Sequence, residues 1–255
     1  MLWAIDVGNT QTHIALWDGS SWAAQWRIET ILDRTEDELA GSLATLCQVA
    51  GVPFAGEGVI CASVVPSAEV NWSRFAAKYL QAEIRFLRDG ASVGVSVTYE
   101  PIRAVGADRI ANALGGLLIL EPPFIVVDFG TATTLDCVDG SGTYVGGAIM
   151  PGVLLSMQSL AGGTAKLPPI AIEAPERAIG RSTVESLQSG LVLGYSGGID
   201  SLIRQASSEL DGKVTVVATG GLGKVFVELC SEIESYQPML TVNGLVEAWT
   251  RLTKA

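Results

Sequence analysis

Histidine and paired cysteines are scarce in this sequence, and each scarcity excludes a class of site. His13 is the only histidine, which excludes a zinc site built on several histidines. A Ser-His-Asp hydrolase would have to use this residue, although strand alternation makes a half-buried histidine of a hairpin the simpler interpretation. The sequence contains no Cys-x-x-Cys pair, so it indicates neither a disulfide framework nor a zinc knuckle. We expect four small buried cysteines: Cys47, Cys61, Cys137 and Cys230.

Positive charge is scarce as well. The chain has 16 lysines and arginines against 27 aspartates and glutamates, a formal net charge of −11. Nucleic-acid binding needs clustered basic residues that displace counterions, so we expect no nucleic-acid partner. An anionic ligand such as a phosphate would have to be held by backbone N–H groups, a few placed cations or bound metal ions. The 29 glycines supply suitable turns.

Long apolar runs are missing too. The longest, "ALGGLLIL" from Ala113, is far too short to span a bilayer. The first residues lack the basic and apolar regions of a signal peptide. We therefore expect a cytoplasmic protein that has no membrane partner.

The chain does contain an internal repeat. "AIDVGNTQTHIALWDG" (residues 4–19) and "IVVDFGTATTLDCVDG" (residues 125–140) share one order: an apolar strand, Asp-x-Gly, hydroxyl residues, a second strand and Asp-Gly. The two aspartates of a copy are 12 residues apart in the first and 11 in the second. Each copy predicts a hairpin that a glycine-containing turn closes, and further strands and helices follow both. We expect two α/β halves, residues 1–115 and 116–255, with a cleft between them.

The residues at the two hairpin mouths suit phosphate or metal binding. Glycine lets a phosphate approach the backbone, Thr10 and Thr131 offer hydroxyl donors, and Asp6 and Asp128 are hard oxygen ligands. A single Asp-x-Gly would be read as a turn only, but two copies in matching contexts favour function. A third turn, "VVATGGLG", joins a strand to a helix at Gly220 and Gly221, where the sugar or base of a nucleotide could lie against bare backbone.

A further candidate is "VGADRIANALGG". Asp108 falls in the first turn of a predicted helix, where backbone N–H groups favour an ionised carboxylate, and Arg109 is beside it. A kinase acting on an alcohol needs a carboxylate to accept the hydroxyl proton and a cation to hold an anionic acceptor. The alternative is an acidic helix cap beside an exposed arginine. Lys166, in a loop of small residues, either reaches a phosphate or is solvated.

These motifs carry a family resemblance. The hairpins and the Thr-Gly-Gly turn resemble the phosphate-1, phosphate-2 and adenosine motifs of the actin, sugar-kinase and Hsp70 ATPase superfamily. "DVGNT", "GADRIANAL", "VVDFGTATTLD", "GGAIMPG" and "STVESLQSG", in this order, are similar to those of the type III pantothenate kinases over nearly the whole chain. The resemblance implies duplicated ribonuclease H-like (actin-like ATPase) domains with a central interdomain cleft. It also implies ATP-dependent phosphorylation of pantothenate to 4'-phosphopantothenate, the first step of coenzyme A biosynthesis.

The resemblance also implies roles for individual residues. Asp108 is the proton acceptor, Asp128 binds a monovalent cation (K⁺ or NH₄⁺), and Asp6 holds Mg²⁺ directly or through water. The pantothenate contacts implied are Tyr99, Gly106, Ala107, Arg109 and, across the interface of a homodimer, Thr183. The ATP contacts implied are Asp6, Val7, Gly8, Asn9, Thr10, Gln11, Thr131, Gly220 and Gly221.

The chain departs from the family pattern in three places. Pro101-Ile102 stands where Asn-Pro is usual, Ser182 replaces a common asparagine, and Gln237-Pro238 replaces a frequent Asp-Pro. Three alternatives to a pantothenate kinase stay open, and the departures bear on the first of them. One is a non-catalytic accessory transcriptional regulator of the same family, another is a kinase for a different anionic alcohol, and the third is a phosphatase on the same scaffold.

Overall fold

A computed structural model describes residues 1–163 and 167–254, with the backbone alone for Arg103. The chain forms two compact units. Unit 1 is Met1–Leu118 together with Leu240–Ala255, and unit 2 is Ile119–Met239. Each unit has one five-stranded sheet with helices on its faces. No helix in the described ranges combines the length and the apolar character needed to cross a membrane.

Strands and helices are numbered separately, each in chain order. The strands are β1 (Leu2–Val7), β2 (Gln11–Trp17), β3 (Trp22–Glu29), β4 (Gly58–Ser63), β5 (Glu83–Phe86), β6 (Phe124–Phe129), β7 (Ala132–Val138), β8 (Tyr144–Pro151), β9 (Thr215–Gly220) and β10 (Ser235–Tyr236). The helices are α1 (Glu36–Ala50), α2 (Pro66–Phe75), α3 (Ala107–Leu117), α4 (Val153–Gly162), α5 (Thr183–Gln188), α6 (Gly194–Glu209), α7 (Gly223–Val227) and α8 (Leu240–Lys254). Short π-helical turns follow α2 (Ala76–Leu80) and α5 (Ser189–Leu193), and 3₁₀ turns lie at Ala91–Val93 and Ile102–Ala104.

The two sheets have the same topology. Their strand orders are β3-β2-β1-β4-β5 and β8-β7-β6-β9-β10. In each sheet the first three strands are antiparallel and the last two run parallel to the central strand. The sequence repeat is therefore a structural repeat, and the predicted duplication of an α/β unit is confirmed.

The sheet of unit 1 is buried on both faces. Trp3 and Ile5 point to the face that packs against α1 and α2 and are fully buried there. The opposite face lies against α8, since a Cβ added at Gly58 of β4 would overlap the Trp249 ring. Burial on both faces explains why β1 and β4 are nearly continuous apolar runs.

Helix α8 belongs to unit 1, although it follows unit 2 in the chain. It packs closely on α3, where Gly115 and Gly244 have no side chains to keep the two backbones apart. The buried Thr241 hydroxyl donates to Asn112 Oδ1 at 2.7 Å. This corrects the expected division at residues 115 and 116, because residues 240–254 pack with the first half of the chain.

Unit 2 has its core on the face of β6, β7 and β9 that meets α6 and α7. Phe129 of β6 stacks on Phe226 of α7 with ring centroids 4.9 Å apart, and Ile199 of α6 is fully buried in the same cluster. The chain is helical without a break from α5 to α6, because the π-helical turn at Ser189–Leu193 joins the two helices. All four cysteines, two in each unit, are buried thiols outside any disulfide, as expected.

Candidate active site

The first hairpin places Asp6 in a row of polar side chains. In the sheet of unit 1, Asp6 lies between Ala62 of β4 and His13 of β2, and His13 pairs with Arg27 of β3. Residues directly opposite one another on neighbouring strands share a face. Residues four apart on a strand point to the same face, so Ala62 shares the face of Gly58, which α8 covers. The row that contains Asp6 and His13 therefore lies on that face.

His13 is an interior histidine and not a metal ligand of a multi-histidine site. It is buried, and Nε2 lies 3.0 Å from Gln25 Oε1. Burial, with a smaller contribution from the Arg27 charge, lowers the pKa of His13 to about 4. The imidazole is therefore neutral at neutral pH. The burial is more complete than the half-buried position expected from alternation.

The tip of the first hairpin is an exposed, tightly turned backbone. The Gly8 amide donates to the Gln11 carbonyl at 3.1 Å, and a Cβ at Gly8 would lie only 3.0 Å from that oxygen. Asn9, Thr10 and Gln11 are exposed, whereas the Val7 side chain is buried in the core, so that Val7 can offer a ligand its backbone only. The arrangement can present N–H and hydroxyl donors to an anion.

Asp108 lies at the N-terminus of α3. Gly106 is the N-cap, and the Asp108 carboxylate folds back over it, because a Cβ at Gly106 would overlap Asp108 Oδ1. The same oxygen accepts the Arg109 amide at 2.9 Å. The N–H groups and the dipole of the first turn favour the ionised carboxylate. Arg109 is only 5% exposed, which excludes the alternative of an exposed arginine beside a cap.

The structure brings Asp108 and the first hairpin to one edge of unit 1. A Cβ at Gly106 would lie 3.6 Å from Val64 Cγ1, just beyond the end of β4. The Val64 amide in turn donates to the Val7 carbonyl at 3.1 Å, at the end of β1. Asp6 precedes Val7, so both carboxylates lie where the parallel strands β1 and β4 end. Ligands bind at this edge in many open α/β sheets.

The second hairpin places Asp128 between two threonines. Thr134 of β7 and Thr219 of β9 lie directly opposite it in the ladder of unit 2. Gly220, the last residue of β9, has φ +84°, and a Cβ there would overlap Asp128 Oδ1. The predicted phosphate-2 hairpin and the Thr-Gly-Gly turn thus meet at Asp128. By contrast, no atom lies within 4 Å of a Cβ added at Gly221.

The turn of the second hairpin is fixed to the start of α4. The Thr131 carbonyl accepts the Gly152 amide at 3.0 Å, and a Cβ at Gly152 would overlap that carbonyl. Thr131 itself is exposed, so its hydroxyl is accessible to a ligand. This close contact explains why the "MPG" segment needs a glycine as its third residue.

The remaining predicted residues lie on other segments. Ala107 begins α3, and Tyr99, half-buried, lies in the irregular chain before Pro101 in unit 1. Thr183 is in unit 2, exposed at the first position of α5. Ser182 caps that helix by accepting the Glu185 amide at 3.2 Å, a role that asparagine can also fill. Lys166 lies outside the described residues.

A buried carboxylate in unit 2 went unnoticed in the sequence. Asp136 of β7 is fully buried and accepts hydrogen bonds from Thr134 and Tyr144. An ionisable residue in the middle of the apolar run "TLDCV" was the available signal.

Across residues 1–163 and 167–254, no three His, Cys, Asp or Glu side chains form a cluster that could hold a metal ion. A cation at Asp6 or Asp128 would therefore take other ligands from hydroxyls, backbone carbonyls or phosphates.

Solved structures agree with this fold. A conserved protein of Campylobacter jejuni, described as a Baf family transcriptional activator, superposes with a TM-score of 0.63 at 18% identity, covering 99% of this chain and 100% of that one. A protein of Sinorhizobium meliloti described as a 2-dehydro-3-deoxygalactonokinase gives a TM-score of 0.58 at 13% identity, covering 98% and 96%. The duplicated units and their carboxylate hairpins define the class: the actin-like fold of sugar kinases.

Sequence comparison narrows the class to one family. Residues 2–205 match the family model of type III pantothenate kinase. The type III pantothenate kinase of Phenylobacterium zucineum is 40% identical over 252 residues, which cover 98% of each chain. This chain belongs to the type III pantothenate kinase family, a family of phosphotransferases.

Proposed function

We propose that the protein transfers the γ-phosphoryl group of ATP to the primary hydroxyl of pantothenate, giving 4'-phosphopantothenate and ADP at the first step of coenzyme A biosynthesis. The observation that carries the proposal is the position of Asp108. Its carboxylate lies at a helix N-terminus, at the sheet edge where the phosphate-type hairpin of Asp6 also ends. An alcohol kinase needs this combination of a proton acceptor and a phosphate-binding turn.

Asp108 acts on the acceptor hydroxyl. Its carboxylate orients the hydroxyl and takes its proton as the oxygen forms a bond to the γ-phosphorus, while the bond from that phosphorus to the β,γ-bridging oxygen of ATP breaks. Arg109, buried beside it, supplies positive charge for the carboxylate of pantothenate. Tyr99, Gly106 and Ala107 complete the contacts in unit 1.

The two hairpins and the glycine turn bind the nucleotide. Asp6 and the exposed tip of the first hairpin offer a carboxylate, N–H groups and a hydroxyl to the phosphates and to Mg²⁺. In unit 2, Thr131 contacts ATP, and the backbone of Gly220 and Gly221 lies against the nucleoside of ATP. Asp128 holds K⁺ or NH₄⁺. These oxygen donors are the type that Mg²⁺ and alkali cations prefer. The bound cations offset phosphate charge, which matters in a chain whose net charge is −11.

We further propose a cytoplasmic homodimer in which Thr183 contacts pantothenate bound to the partner subunit. Thr183 is exposed, and unit 2 also exposes large apolar side chains within residues 149–184. They are Ile149, Leu154, Leu155, Leu160, Ile179 and Val184. Apolar surface of this kind is typical of a face covered by another subunit.

Mixed dimers test the role of Thr183. The Asp108→Asn and Thr183→Ala proteins are purified separately, and each is expected to have little activity. They are then dissociated reversibly and mixed. A mixed dimer pairs an intact Asp108 in one subunit with an intact Thr183 in the other, so activity should return in part. No recovery, with mixed dimers present by mass spectrometry, would mean that Thr183 does not act across the interface.

Turnover is the principal test of the function. Purified protein is incubated with ATP, Mg²⁺ and pantothenate in potassium and then in sodium, and 4'-phosphopantothenate is measured by mass spectrometry. We expect potassium-dependent product, and a loss of about 10²- to 10⁴-fold in kcat for Asp108→Asn. ATP binding by calorimetry should survive in that variant. An Asp108→Asn protein with full activity would refute the assignment of the base.

A gel-shift assay with DNA, combined with the ATP calorimetry, addresses the regulatory alternative. Specific DNA binding without nucleotide binding would favour a transcriptional role like that in the description of the Campylobacter jejuni protein. The acidic charge of this chain opposes that outcome, because it repels the phosphate backbone of DNA. ATP consumption with another anionic alcohol and not with pantothenate would point to a different acceptor.

A further inference from the structure

Asp136 is a buried carboxylate that the proposed reaction does not use. It lies in the middle of β7 and is 0% exposed. Its two oxygens accept from different donors: Oδ2 from the Thr134 hydroxyl at 3.2 Å and Oδ1 from the Tyr144 hydroxyl at 3.3 Å. Tyr144, on β8, is fully buried as well. A buried carboxylate is costly even when hydrogen-bonded, so its presence in a strand calls for a reason.

The fold by itself does not supply that reason, because unit 1 builds the same sheet without it. Asp6 of β1 pairs with His13 just as Asp128 of β6 pairs with Thr134. Two residues further along β2 the first hairpin has Ala15, at the position that corresponds to Asp136. The buried carboxylate is thus confined to the repeat that carries Asp128.

The network ends beside Asp128. Thr134 lies directly opposite Asp128 in the antiparallel ladder, so the two side chains share a face, with their Cβ atoms about 5 Å apart. A hydroxyl has one proton and two acceptor lone pairs. Since Thr134 gives its proton to Asp136, its oxygen presents lone pairs to its other neighbours. Thr219 places another hydroxyl on the opposite side of Asp128.

We infer that Asp136 is a positioning residue for the monovalent cation held at Asp128, and that it acts through Thr134. By taking the Thr134 proton, Asp136 fixes the hydroxyl so that its oxygen faces the cation as a second protein ligand. The Tyr144 hydroxyl donates to the other carboxylate oxygen, Oδ1, which is not the one that accepts from Thr134. The inference rests on the proposed cation role of Asp128 and adds a ligand and its orienting group to that site.

Asp136→Asn is the decisive substitution, because it reverses the polarity of the network at nearly constant shape. The introduced amide can accept from Tyr144 through its oxygen and donate to Thr134 through its nitrogen. The Thr134 oxygen is then occupied and its proton turns toward the cation. We expect the potassium concentration for half-maximal activity to rise about tenfold, with kcat at saturating potassium and KM for pantothenate little changed.

Four further variants separate this role from simple stabilisation. Thr134→Val should raise the potassium requirement as Asp136→Asn does. Thr134→Ser keeps the hydroxyl and should have the potassium requirement of the unaltered protein. The double variant Asp136→Asn/Thr134→Val should need no more potassium than either single variant, because both substitutions remove the same interaction. Tyr144→Phe, the matched control, removes the outer hydrogen bond and leaves Thr134 bonded to Asp136. Its effect should fall on thermal stability and not on the potassium requirement.

A direct binding measurement supplies the second readout. Binding of thallium(I), a potassium analogue, is followed by NMR of the metal in the presence of Mg²⁺ and a non-hydrolysable ATP analogue. We expect weaker binding in Asp136→Asn and Thr134→Val than in the unaltered protein. This readout works whatever the acceptor alcohol proves to be, and it serves if one of the variants turns over too slowly to assay.

The outcomes distinguish the inference from the proposed function. An unaltered protein that forms no 4'-phosphopantothenate but binds thallium more tightly than Asp136→Asn refutes the substrate and supports this network. Normal potassium-dependent turnover, with the same potassium requirement in Asp136→Asn and Thr134→Val, overturns the inference alone. A protein that neither binds thallium nor responds to potassium overturns the inference together with the cation role of Asp128.

Discussion

Gly220 and Asp128 occupy adjacent strands of unit 2, so closely that a Cβ on residue 220 would overlap the Asp128 carboxylate. The backbone of Gly220 also has φ +84°, a left-handed conformation that glycine adopts without strain. The glycine turn and the carboxylate hairpin therefore constrain each other. A substitution in the turn has consequences for the carboxylate as well as for any ligand of the turn.

Gly220→Ala should damage both stability and nucleotide use. The left-handed backbone costs an alanine about 1–2 kcal/mol of folding free energy, and overlap of the added Cβ with backbone atoms of Phe129 adds to that cost. Displacement of Asp128 should cost about 100-fold in kcat/KM for ATP. Gly19→Ala is the matched control, because Gly19 also has a positive φ, +108°, and a Cβ there meets no atom within 4 Å. Thermal unfolding and ATP kinetics check both variants. Equal behaviour of the two would show that the contact with Asp128 is unimportant.

Gly106→Ala should separate folding from catalysis in unit 1. A Cβ at the N-cap of α3 would overlap the Asp108 carboxylate, a side-chain group that can rotate away. We expect kcat to fall about 100-fold as the base is displaced, while the unfolding midpoint changes little. Gly197→Ala, at an open position of α6, is the control and should keep full activity. A crystal structure of the variant with Asp108 unmoved would contradict the explanation.

His13 should make the protein sensitive to mild acid. Its pKa is about 4 in the folded chain, against 6.5 for an ordinary histidine. The unfolded state therefore binds the proton first as the pH falls, and the stabilisation present above pH 6.5 is lost toward pH 4. His13 should account for a loss of about 2 kcal/mol of unfolding free energy between about pH 7 and about pH 5.

Urea unfolding of the unaltered protein and of His13→Gln at both pH values measures this contribution. The difference in free energy between the two proteins should shrink as the pH is lowered. A difference that stays constant with pH would mean that His13 titrates normally in the folded state.

The hairpins and the duplication were predictable because their signals are local. In the closing turns, Asp18 accepts the Ser20 and Ser21 amides at 2.7 Å, and Asp139 accepts the Ser141 amide at 2.9 Å. Side chains that satisfy the backbone two or three residues away leave a short-range pattern. The same pattern in both copies pointed to one fold used twice.

The packing that places the site residues was not predictable from local pattern. The burial of Arg109 and the return of α8 to unit 1 depend on contacts between segments far apart in the chain. Asp136 has no local turn or cap to reveal its purpose, since its partner Tyr144 lies on the next strand. Motif similarity pointed to Asp108 and Asp128 because it compares residues directly and does not depend on knowing these contacts.

Gly244→Ala tests whether α8 supports the catalytic helix. A Cβ at Gly244 would overlap the Ala111 carbonyl and lie 2.9 Å from the Gly115 amide nitrogen, both on α3. These are backbone atoms and cannot rotate away, so the helices must separate, at a cost of about 1–3 kcal/mol in unfolding free energy. Because α3 carries Asp108 in its first turn, kcat should fall as well.

Gly41→Ala provides the opposite result from the same chemical change. Gly41 is exposed on α1 with no atom within 4 Å of an added Cβ, so alanine should stabilise the helix by about 0.5–1 kcal/mol. Calorimetric unfolding and steady-state kinetics of both variants make the comparison. If Gly244→Ala unfolds like the unaltered protein and keeps its kcat, then close packing of α8 on α3 is not what holds Asp108 in place.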